Sequence, residues 1–71
     1  MILVTFEIQD GEHSYEQYSI FTKDMSEEKM LEEVYGDVND WDYRGYKITS
    51  CQSITKKEAS ILKKLHIAFY N

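Results

Sequence analysis

ILVTFEIQDGEHSYEQYSIFT, residues 2 to 22, is the stretch that decides the fold class. Ile2, Val4, Phe6 and Ile8 alternate with Leu3, Thr5 and Glu7. A period of two places the first set on one side of an extended chain, so one face is buried and the other partly wet. QDGEHS follows, with Asp10 and Gly11 as turn residues, and YEQYSIFT then resumes a pattern rich in strand formers. Ile2 to Thr22 therefore reads as a β-hairpin whose turn type the residues leave open.

Outward from the hairpin the period changes. Asp24 or Ser26 can cap a helix, Glu27 stands three residues after Asp24, and the spacing predicts a helix over about Ser26 to Tyr35 with Met30, Leu31, Val34 and Tyr35 on one side. Gly36 is its natural stop. DVNDWDYRG then reads as a polar loop, and YKITSCQSI as a third strand in which Tyr46, Ile48 and Ser50 alternate with Lys47, Thr49 and Cys51. Thr55 and Glu58 have the spacing of a capping box, so Thr55 should open a last helix that runs to about Phe69. Ile61, Leu62, Leu65, Ala68 and Phe69 fall on one stripe at helical spacing, flanked by Lys56, Lys57, Lys63 and Lys64. Lysines so placed ordinarily lay their stems over the apolar edge and keep their ammonium groups in water, and Leu62 and Leu65 are expected to be buried. The expected fold is α+β in the order ββαβα. It is one domain over residues 1–71, with a three-stranded, partly antiparallel sheet and two helices packed on one face.

Seventy-one residues hold one core, close to the lower limit for a chain that folds unaided. Hydrophobic residues at 42% and charged residues at 30% are the composition of a folded protein and not of a disordered tail. Met1 leads straight into ILVTFEI without a basic leader region, and Glu7 breaks the apolar run far short of a membrane span, so a cytoplasmic protein with no membrane partner is expected. A single cysteine, Cys51, agrees with a reducing compartment and leaves stability to packing.

Charge is the most informative feature of the chain. Residues 1–42 carry twelve acids and two bases, whereas residues 43–71 carry six bases and one acid. A pI of 4.8 is far from the basic footprint of a nucleic-acid binder. A protein partner with a basic surface would instead be steered towards the acidic segment. Large rings supply the second hint: NDWDYRGY gathers Trp41, Tyr43, Arg44 and Tyr46, and Trp, Tyr and Arg are the residue types that dominate binding hot spots. The expected partner-binding residues are Glu27, Glu28, Glu32 and Glu33 of the acidic helix with Trp41, Tyr43 and Arg44 of the loop. The plain alternatives are that the acids serve solubility and that Trp41 closes one end of the core.

Little in the chain points to chemistry. Gly11, Gly36 and Gly45 are isolated, so no phosphate-cradling loop is formed. His13, Cys51 and His66 lack the paired spacings that build zinc sites. Cys51 with His66 could make a nucleophile and base only if folding joined them. Glu27 with Glu28, and Glu32 with Glu33, lie on a solvated helix face with no pocket to raise a carboxyl pKa. Asp37, Asn39 and Asp42 stand at roughly alternating positions, a faint likeness to a calcium loop, but the glycine and terminal glutamate of that motif are missing and the segment reads as a loop. No cofactor, metal or catalytic residue is expected.

The reading is thus a small acidic, non-enzymatic protein-binding domain that regulates or inhibits a larger protein. Phage and mobile-element products that disable a host nucleic-acid-handling machine, sometimes by occupying a site meant for DNA, are the analogy in size and charge. The alternative is a nucleic-acid-binding module led by the basic C-terminal helix, and a homodimer stays open.

Overall fold

A computed structural model of the chain describes residues 1–36 and 45–70. The hairpin is present: β1 (Ile2–Asp10) and β2 (His13–Phe21) pair antiparallel, from Ile2 opposite Phe21 to Asp10 opposite His13. Gly11 has φ +64° whereas Glu12, the second loop residue, has no positive φ, and a positive φ at the first loop residue alone marks a type II′ turn, whose twist matches that of the strands it joins.

The first helix, α1 (Glu27–Tyr35), starts at Ser26, whose hydroxyl accepts a hydrogen bond from the Lys29 amide at 3.2 Å, and stops at Gly36 with φ +83°. Ser26 is thus the cap, and Asp24 is not. β3 (Tyr46–Ser53) pairs antiparallel with the other edge of β1. Its register slips by one residue between Thr5 and Phe6: Phe6 faces Ile48, but Thr5 faces Ser50. The bulge reverses the phase of the strand's end. Cys51, opposite Val4, therefore shares the face of Ile48 and Tyr46, and Ser50 does not, contrary to simple alternation.

The last third of the chain departs from the expected long helix. Helix α2 (Lys56–Lys63) begins with the expected capping box: the Glu58 amide donates to the Thr55 hydroxyl at 3.1 Å, and the Thr55 amide donates to a Glu58 carboxylate oxygen at 3.1 Å. It ends early. The amides of Lys64, Leu65 and His66 bond three residues back, and His66 turns left-handed with φ +64°. Residues Ala68–Tyr70 then form a fourth strand, β4, parallel to β2. The Thr22 amide donates to the Tyr70 carbonyl at 3.0 Å, and the Tyr70 ring stacks on Phe21 with centroids 5.3 Å apart. The backbone groups along the edge of β2 and the apolar surface of Phe21 claim these residues, which outweighs the helical spacing of Ala68 and Phe69.

The sheet is therefore four-stranded in the order β3-β1-β2-β4, within the expected α+β class. Its two faces are covered separately, not by two helices on one face. Val4, Phe6, Phe21, Met30 and Leu31 form the core under α1, joined by Ile2, Met25, Val34, Tyr35, Tyr46, Ile48 and Tyr70, with no residue of α2 among them. Ile20 sits between Ser19 and Phe21, so its side chain emerges on the opposite face, yet it is fully buried. Its strand partner Phe69 lies under the Lys63 ammonium, 5.5 Å from the ring centroid. That places α2 on the Ile20 side.

Within α2 the buried residue is Ala59, and Leu62 is half-buried. Ile61 is 55% exposed and Leu65 is 67% exposed, which overturns the expected burial of Leu65. Phe6→Ala should cost about 3–5 kcal/mol, because it opens a cavity beneath α1. Leu65→Ala should shift stability by no more than about 0.5 kcal/mol. The Ser19 hydroxyl is fully buried and finds no hydrogen-bond partner among the described residues, so Ser19→Ala should be neutral or stabilising by about 1 kcal/mol. Urea unfolding of the three variants checks these values, and a Leu65→Ala loss as large as that of Phe6→Ala would contradict the packing.

Candidate functional site

Helix α1 supplies the clearest chemical surface. Met30 and Leu31 anchor it to the sheet, so helical spacing leaves Glu28, Lys29, Glu32 and Glu33 on the side away from the core, with Glu27 at its first position. All four glutamates are exposed. Among the described residues the one ion pair is Lys47 with Glu7 at 3.6 Å, which leaves the α1 carboxylates without a described cation.

The helix's own electrostatics oppose part of this arrangement. Glu27 and Glu28 lie in the first turn, where the partial positive charge of the helix end favours them. Glu32 and Glu33 lie in the last turn, which has no basic residue, and there the partial negative charge disfavours them. Glu28 and Glu32 are four residues apart on one face and repel each other.

Trp41, Tyr43 and Arg44, the loop half of the expected site, lie outside the described residues, as do Asp37, Asn39 and Asp42. The described rings divide between core and surface. Tyr35 meets Phe6 edge-on at 5.3 Å, stacks on Tyr46 at 4.1 Å, and donates its hydroxyl to Gln17 Oε1 at 3.0 Å. Burial, then the neighbouring Tyr46, Tyr70 and Tyr15, push its phenol up to about 12. These rings clamp the C-terminal end of α1 to the sheet. Tyr15 and Tyr18 are exposed, and the Tyr18 hydroxyl donates to Glu16 Oε2 at 2.8 Å.

Cys51 and His66 are not assembled into a pair. Cys51 shares the α1 face with Val4, whereas His66 follows α2, which covers the other face. Burial, then the carboxylates of Glu27 and Asp24, push the Cys51 thiol above its ordinary value. That is the opposite of what activates a nucleophile. Among the described residues no three of His, Cys, Asp and Glu group so as to hold a metal ion, and no helix is long and apolar enough to cross a membrane.

Exposed apolar side chains on α2 and the turn that follows it are the feature that the sequence concealed. Ile61 and Leu65 belong to a stripe that reads as core, and only the early end of the helix, with Ala59 as its buried contact, turns them outward. Comparison with protein-family models, with curated proteins and with solved structures finds no match to this chain.

Alkylation of Cys51 should be slow at neutral pH, with a rate that climbs through a midpoint above the ordinary thiol value of about 8.5. Glu27→Gln should lower that midpoint. A pH-rate profile with iodoacetamide checks both, and a midpoint at or below the ordinary value would contradict the placement of Cys51 beside these acids.

Proposed function

We propose that the protein is a non-enzymatic binding domain whose acidic α1 face docks on a basic surface of a larger protein and thereby regulates or inhibits it. The observation that carries this reading is the placement of Glu28, Glu32 and Glu33. Acids kept only for solubility serve equally well at positions where they cost nothing, whereas Glu32 and Glu33 sit at the unfavourable end of their helix and Glu32 also repels Glu28. A cationic partner relieves both the repulsion and the unfavourable helix end. Proteins that handle nucleic acid carry basic surfaces of the kind such a row of carboxylates can occupy, which makes them the favoured target class. Long-range charge of this type sets the association rate more than the lifetime of a complex. The loop residues Trp41, Tyr43 and Arg44 complete the proposed interface as its short-range contacts.

Changing Glu28 and Glu32 together to glutamine separates this role from a structural one. The free protein should keep its stability or gain no more than about 0.5 kcal/mol, because removing the like-charge pair and the unfavourable Glu32 end charge is offset by losing the favourable first-turn charge of Glu28. Association with a partner captured from the source cell should slow, and its salt dependence should flatten. A folded double variant that associates at the original rate in low salt would sink the α1 assignment.

A further inference from the structure

We infer that the outward side of α2 and the turn after it form a second docking surface, one that takes an amphipathic helical segment of a partner protein with carboxylates along the edge of an apolar row. Ala59 faces the sheet, so helical spacing turns Lys57 and Ile61 away from it, and the capping residue Lys64 with Leu65 just past the helix continues the exposed surface. Ile61 is 55% exposed and Leu65 67% exposed, and Lys57 and Lys64 stand four residues before and three residues after Ile61. The surface thus sets two exposed apolar side chains beside two cations, Lys57 a turn before Ile61 and Lys64 between Ile61 and Leu65 in sequence. Lys63 is not part of it, because its ammonium is folded back over the Phe69 ring.

This chemistry selects among occupants. A nucleic-acid backbone offers the lysines their counter-charge, but it would bury Ile61 and Leu65 against phosphates, with no apolar surface in return. A lipid surface favours longer amphipathic helices with aromatic anchors, whereas α2 has eight residues and its stripe has no ring and borders Glu58. A second copy of the chain fits poorly. The outward side of α1 presents Glu28, Lys29, Glu32 and Glu33 with no apolar residue, and two α2 stripes face to face would oppose their own lysines. A helix that carries carboxylates along one edge of an apolar row satisfies both the lysines and the apolar pair, in the helix-against-apolar-surface mode common in peptide recognition. The assignment stands independently of the reading of α1. Because the two helices cover opposite faces of the sheet, both surfaces can be engaged at once, and the domain can bridge two partners of opposite charge.

Titration of the 15N-labelled protein with a synthetic helical peptide, leucines on one side and glutamates beside them, tests the proposal. Amide shifts should be confined to α2 and the turn through His66. Ile61→Ser should weaken binding at least tenfold without lowering Tm, and Lys57→Glu combined with Lys64→Glu should weaken it more at low salt than at high salt. A control peptide with the same charges and serines for leucines should bind at least tenfold less well. Equal binding of the two peptides, indifference to Ile61→Ser, or no binding at millimolar peptide overturns the inference. Preferential binding of duplex DNA or phosphatidylserine vesicles through the same residues overturns it in favour of those ligands.

Discussion

Three of the four strands run in the same direction, and that constraint organises the molecule. β2 and β3 both oppose β1, and β4 is parallel to β2. Parallel strands cannot be joined by tight turns, so the links from β2 to β3 and from β3 to β4 must be crossovers, each carrying a helix. The first travels across β1 towards one edge, and the second travels back across β1 and β2 towards the other. Crossovers of the favoured right hand that move in opposite directions must pass over opposite faces. The separate burial of Phe21 beneath α1 and of Ile20 on the far side is the packing counterpart of this rule.

The placement of charge follows from the same geometry. The acids of residues 1–42 and the bases of residues 43–71 are adjacent in sequence, but the fold gives α1 to one face and α2 to the other. With layers spaced by about 10 Å the two helices lie roughly 20 Å apart, and the screening length at physiological salt is about 8 Å. Each field therefore acts nearly alone. The net charge of −5 describes neither surface, and the low pI does not describe the field at α2 once the sheet stands between the two helices.

Local signals were legible in the sequence wherever the deciding interactions are local. Alternation at Ile2, Val4, Phe6 and Ile8, the turn at Gly11, the stop at Gly36 and the Thr55–Glu58 box all depend on neighbours within a few residues, and all are present. The failures share a long-range cause. Strand β4 is too short, at three residues, for a period of two to show, and it forms because the edge of β2 and the Phe21 ring await it. The bulge that moves Cys51 to the α1 face is set by pairing with β1, and no glycine advertises it. The acidic half of the candidate site was readable because exposed charge at helical spacing needs no tertiary knowledge. The exposure of Ile61 and Leu65 was not, because a buried stripe and an exposed one share one pattern until the packing of the helix is known.

The most direct test of this arrangement is a distance across the sheet. A nitroxide spin label attached at position 32, as Glu32→Cys in a Cys51→Ser background, should leave the amide signals of α2 at nearly full intensity, since they sit roughly 20 Å away behind the sheet. Strong broadening of α2 amides, as expected if the helices were neighbours on one face about 8–10 Å apart, would contradict the fold and with it the separation of the two surfaces.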